Sequence, residues 1–83
     1  MEFIETAIFI KAVEKHINDN ELRQLQLTLS LYPEMGRIIP ASGGLRKLRW
    51  VIPGKGKRGG LRIIYYLIIK KNVIYLLYAY LKK

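Results

Sequence analysis

Apolar and polar positions change their period once along this chain. Between Ala7 and Ile17, Ile10, Val13 and Ile17 recur at helical spacing with Phe9 beside them, while Lys11, Glu14 and Lys15 face away. This spacing predicts an amphipathic helix over 7–17, with Thr6 where its N-cap belongs. Asn18-Asp19-Asn20 breaks that helix and supplies a new cap. Leu22, Leu25, Leu29 and Tyr32 then repeat at helical spacing until Pro33 ends a second helix. Ahead of both, Glu2–Glu5 alternates around Phe3 and Ile4 as a short opening strand would.

From Leu45 the period is two. Lys47, Arg49 and Val51 point to one face, and Leu48, Trp50 and Ile52 point to the other with Arg46 at its edge. The second set belongs to a core beneath the helices, which leaves Lys47 and Arg49 on the opposite face, roughly 7 Å apart along the strand. A connection rich in glycine and cations, Pro53 to Gly60, leads into a strand from Leu61 to Ile69 that is apolar on both faces. A last strand, Val73–Leu81, places Ile74, Leu76, Tyr78, Tyr80 and Lys82 on one face and Val73, Tyr75, Leu77, Ala79 and Leu81 on the other. Arg37-Ile38-Ile39-Pro40 reads as a short extended piece and Ala41-Ser42-Gly43-Gly44 as a loop. Two helices joined by a short turn, and then strands that need cover, predict an α+β fold. Its expected form is a small twisted antiparallel sheet packed on an N-terminal helical hairpin, one domain over residues 1–83.

Composition narrows the function classes. The chain has no cysteine and one histidine, so neither a disulfide framework nor a thiolate zinc site is available, and no metal or cofactor is expected. His16 has no serine or carboxylate motif beside it and is read as a helix residue. The apolar runs 63–69 and 73–81 are each far short of the roughly 20 residues a spanning helix needs, and Lys70, Lys71 and Asn72 separate them. The N-terminus carries two early glutamates and no basic region ahead of an apolar one, so no secretion signal is read there and a cytoplasmic location is expected.

Charge is distributed unevenly. Fifteen Lys and Arg against six acids give +9, and all six acids lie before Met35. After Met35 stand twelve cations and no anion. Seven of them, Arg46, Lys47, Arg49, Lys55, Lys57, Arg58 and Arg62, fall between Gly43 and Ile69. Positive charge on a strand pair without carboxylates to meet it calls for an external polyanion. Arg46, Lys55, Lys57 and Arg58 are therefore expected nucleic-acid contacts, and Tyr80 an expected base-stacking residue. Gly54-Lys55-Gly56-Lys57-Arg58-Gly59 has the letters of a dinucleotide fingerprint, but it leads into a strand and not into the helix whose N-terminus meets a pyrophosphate. Neither helix is rich in cations, which argues against a DNA-reading helix.

The runs GGLRKLRW, GKGKRGGLRIIYY and IYLLYAY, behind an N-terminal strand and helical hairpin, resemble the RelE/HigB superfamily of bacterial toxins from type II toxin–antitoxin systems. The HigB-like branch, which has this glycine-rich hairpin, is the nearest in pattern. The resemblance implies a RelE-like fold and a ribosome-dependent endoribonuclease, an mRNA interferase that inhibits translation. It also implies mRNA and the ribosome as partners, and neutralisation by a cognate antitoxin, expected to be a helix–turn–helix protein. Matched by position, it places the catalytic set on Lys47, Arg49, Arg62 and Lys82. It further implies a polar segment and a C-terminal helix after the last strand, a stretch that the chain ending at Lys83 does not include. The alternative reading is therefore a catalytically impaired RNA- or ribosome-binding module of the same fold.

The chemistry assigns roles within that set. Metal-free RNA cleavage needs the 2′-hydroxyl deprotonated, the charge of the phosphorane neutralised and the 5′-oxygen protonated. Like charges nearby disfavour the charged form of a lysine, so Lys47, crowded by Arg49 and Arg62, is the general-base candidate. Arg62, with Arg49 beside it, is the phosphate clamp, and Lys82 or a ribosomal group the acid.

Overall fold

The computed structural model describes residues 1–51 and 60–82. The expected loop contacts Lys55, Lys57 and Arg58, and the core position Ile52, lie outside the described residues. The elements are β1 (Glu2–Glu5), α1 (Ala7–Val13), α2 (Asp19–Leu31), β2 (Arg37–Ile38), β3 (Leu45–Val51), β4 (Gly60–Ile68) and β5 (Val73–Leu81), with a 3₁₀ turn at Ile69–Lys71 between β4 and β5. They form two layers, a five-stranded sheet of order β1-β5-β4-β3-β2 and the helices on one of its faces. No helix among the described residues is long and apolar enough to cross a membrane.

The α+β architecture is the expected one, and the sheet is mixed. β2 to β5 pair antiparallel, but β1 lies parallel to β5, with Phe3 beside Ile74. A parallel pair needs a long crossover, and here the whole chain from α1 to β4 supplies it.

Both helices begin where the sequence caps them. The Thr6 side chain accepts from the Phe9 N–H, and Asn18 and Glu21 form a reciprocal capping box. α1 is shorter than its pattern: regular helix stops at Val13, whose carbonyl then accepts from the N–H groups of both His16 and Ile17. Sharing one acceptor tightens the last turn and swings the chain toward the Asn18 cap. The buried stripe is Phe9, Val13 and Ile17, whereas Ile10 is 46% exposed. Phe9 has the larger side chain to bury, and its helical phase, four residues ahead of Val13, rotates Ile10 outward. On α2, Leu25 and Leu29 are fully buried and Leu22 packs beside them, but Tyr32 lies past the helix end and is exposed. These side chains meet Leu48 of β3, Leu61, Ile63 and Tyr65 of β4, and Ile74, Leu76 and Ala79 of β5, with Trp50 at the margin.

A β-bulge corrects the predicted faces of β5. Ile64 pairs with Tyr78, and the next residue, Tyr65, pairs with Leu76, so Leu77 is an extra residue in the strand. Thr6 holds it there. The Thr6 N–H donates to the Leu76 carbonyl at 3.1 Å and its hydroxyl to the Leu77 carbonyl at 3.2 Å. Past the bulge the alternation inverts: Leu76 and Ala79 are both buried, and Tyr78 and Tyr80 turn to the face away from the helices.

Tyr65 ties the sheet to the turn after α2. Its ring is fully buried, its hydroxyl accepts from the Gly36 N–H at 2.9 Å, and it donates to the Pro33 carbonyl at 2.9 Å. Burial pushes the Tyr65 phenol above its ordinary 10.0, with the Gly36 hydrogen bond and Arg46 pulling back. A raised folded-state value means that the native state keeps this proton longer than the unfolded chain does. The contribution is fully present below pH 10.0 and is lost as pH rises above it. Tyr65→Phe is expected to cost roughly 1–3 kcal/mol, because it leaves the Gly36 N–H buried without an acceptor. The same variant should fall off less steeply than the parent beyond pH 10.0. Urea midpoints for the two proteins from neutral to alkaline pH measure both effects.

Candidate nucleic-acid interface

The strand registers assemble two rows across the open face of the sheet. In the first, Arg37 of β2, Lys47 of β3, Ile64 of β4 and Tyr78 of β5 are successive partners. In the second, Arg49 pairs with Arg62, and Arg62 with Tyr80. Neighbouring strands lie only about 4.8 Å apart, so side chains in a row crowd one another. Lys47 and Arg49 are exposed and Arg62 is half-buried. Together with Arg37, Met35 and Leu48 they line an open cleft of about 330 Å³.

Local sequence explains why these residues converge. The turn from β2 to β3 is closed by Ser42, whose hydroxyl donates to the Ile39 carbonyl at 2.6 Å and accepts from the Leu45 N–H at 3.0 Å. Ala41, Gly43 and Gly44 all take positive φ there, which two glycines make accessible. The reversal sets Arg37 opposite Lys47.

Among the described residues, four cations line this cleft and no carboxylate does. Among the described residues the single ion pair is elsewhere, Arg46 to Glu34 at 3.6 Å. Arg62 Nη1 is buried and without a hydrogen-bond partner among the described residues. A buried guanidinium nitrogen left unpaired is costly, and an incoming oxyanion would satisfy it. Trp50 Nε1 is the other such atom, on the opposite face of β3.

The other expected site residues among those described do not line the cleft. Arg46 faces the helix side at the sheet edge, where its Nη1 donates to the carbonyls of Glu34 at 3.1 Å and Gly36 at 2.8 Å. Its guanidinium braces the turn after α2, away from the cleft. Lys82 stands past the end of β5, exposed and outside the cleft; its N–H donates to the Gly60 carbonyl at 3.3 Å. Tyr80 is half-buried beside Arg62 and stacks on Tyr78, ring centroids 6.1 Å apart and planes 27° from parallel. His16 sits half-buried in the turn after α1, apart from this face.

Arg37 is the residue that the sequence reading did not place in the site. A signal for it exists: an extended pair, a turn rich in Gly and Ser, and a second strand form a hairpin pattern, whose register brings Arg37 to Lys47.

No family model matches the sequence. In three dimensions the chain matches one in a crystal structure of the intact E. coli RelBE toxin–antitoxin complex. The TM-score is 0.69, over 99% of this chain and 96% of that one, at 13% identity. The fold is RelE-like. With so few identical residues, the likeness concerns the path of the backbone and leaves the chemistry to the side chains of this RelE-like chain.

Proposed function

We propose that this chain is the toxin of a type II toxin–antitoxin module, of the HigB-like branch, and acts as a ribosome-dependent endoribonuclease on mRNA in the cytoplasm. The observation that carries the reading is the cross-strand pair Arg49–Arg62 beside Lys47, in an open cleft lined, among the described residues, by four cations and no carboxylate. The RelE-like backbone supports it, since a chain of that fold belongs to a toxin–antitoxin complex.

In this mechanism the cations of the open face draw in the phosphate backbone of mRNA. Lys47 takes the proton of the 2′-hydroxyl, and the 2′-oxygen attacks the adjacent phosphorus. Arg62 and Arg49 meet the charge that develops on the non-bridging oxygens of the phosphorane. The bond from phosphorus to the 5′-oxygen then breaks, leaving a 2′,3′-cyclic phosphate, and the 5′-oxygen leaves with a proton from Lys82 or from a ribosomal group. Tyr80, on Tyr78, offers a ring on which a base of the message stacks. The expected protein partner is a cognate antitoxin of the helix–turn–helix type, which silences the toxin until it is removed.

Primer extension on mRNA from cells expressing the chain tests this reading. Discrete new 5′ ends within open reading frames are expected. Arrested translation with intact messages would instead identify a ribosome-binding module of the same fold without the cleavage step.

A further inference from the structure

The two arginines of the open face converge over a residue that has no side chain. Gly60 opens β4, two pairs along from Arg49–Arg62, and its cross-strand partner is Val51. A Cβ at Gly60 would stand 2.5 Å from Arg62 Nη1, 3.6 Å from Arg62 Cζ and 3.3 Å from Arg49 Nε. The first distance is closer than atoms tolerate, so the Arg62 guanidinium occupies the space that any other residue would fill. The two nitrogens approach the same point and are no farther apart than those two distances laid end to end.

The backbone does not call for glycine here. Gly43 and Gly44 have positive φ, while Gly60 lies in a strand and does not. Glycine inside a strand weakens it and marks a place where another group comes close. That group is the guanidinium of Arg62, whose Nη1 is the buried atom left without a partner among the described residues.

We infer that Gly60 is a positioning residue: its bare Cα lets Arg62 fold back along β4 beside Arg49, so that both guanidiniums present donors to one tetrahedral oxyanion. This rests on the endoribonuclease reading above and adds to it the device that sets the clamp. With a Cβ at 60, Arg62 swings away, because its flexible end yields before the strand does. The two arginines then no longer share a focus, and one of the phosphorane's two donors is misplaced.

The test is Gly60→Ala in the full chain, read in two ways. Single-turnover cleavage on programmed ribosomes is expected to fall roughly 10–100-fold, the scale that about 1 Å of misplacement costs, with ribosome binding unchanged. In an Arg62→Ala background the same substitution should have no further effect, which a merely structural role would not produce. The second readout tracks the Arg49 and Arg62 Nε–Hε resonances as inorganic phosphate is added. Both are expected to respond in the parent, and the Arg62 response is expected to be lost in Gly60→Ala. A parent that does not cleave RNA, but whose Arg62 response to phosphate depends on Gly60, would remove the endoribonuclease reading and keep the positioning role. If Gly60→Ala alone does not fold, the double variant with Arg62→Ala should fold, because the clash has gone. Gly60→Ala with the parent's rate and the parent's phosphate response, an equal loss in the Arg62→Ala background, or a double variant that also fails to fold would each overturn the inference.

Discussion

Arg62→Ala is expected to slow single-turnover cleavage on programmed ribosomes by roughly 10²–10³-fold, the typical worth of one donor aimed at transition-state charge. Its ribosome affinity should change little. Binding is spread over the cations of the whole face, whereas the work of Arg62 appears only when the phosphorane forms. Its place argues for this division: it is half-buried between Arg49 and Tyr80, with one guanidinium nitrogen buried and unpartnered among the described residues. A group held that way is set before the substrate arrives. Lys47→Arg belongs to the same experiment and should not restore cleavage, because arginine keeps its proton and cannot accept another. An unchanged rate in Arg62→Ala would take the clamp away from Arg62, and full activity in Lys47→Arg would move the base to the ribosome.

Phe9→Ala is expected to cost roughly 3–5 kcal/mol, the range for deleting a buried aromatic side chain. That is a large share of the total for a domain whose stability is on the order of 5–15 kcal/mol. Phe9 is fully buried where α1 meets the sheet, among Val13, Ile17 and the core residues of β5. Ile10→Ala is the paired control and should cost under about 1 kcal/mol, since Ile10 is 46% exposed. Urea unfolding of both variants measures the difference, and equal losses would show that the helix is phased as its apolar spacing suggests and not as the fold requires.

That pair of residues also shows where the sequence is legible. Ile10, Val13 and Ile17 fit helical spacing as well as Phe9, Val13 and Ile17 do, and both sets have the right period. Only the sheet beneath the helix decides between them. Local signals were readable: the helix cap within Asn18-Asp19-Asn20, the stop at Pro33, and the alternation that sends Leu48 inward and Lys47 and Arg49 outward. Each depends on residues a few positions apart. The bulge at Leu77 was not readable, because every residue from Val73 to Leu81 is apolar or aromatic and the strand offers no alternation to reverse. The parallel pairing of β1 with β5 joins the two ends of the chain, and no local pattern encodes it. Arg46 reads as one more unopposed cation, although Glu34 and the carbonyls of the turn after α2 are its partners in the fold. Charge counting finds the basic half of the chain, and register decides which of its cations meet.

The measurement that bears most directly on the whole account is incubation of the purified chain with ribosomes carrying a labelled mRNA, beside the same mRNA free in solution. The account predicts cleavage at the codon held in the decoding site, a 2′,3′-cyclic phosphate on the upstream fragment, and an intact message when ribosomes are left out. An mRNA that stays whole on ribosomes saturated with the chain would contradict it.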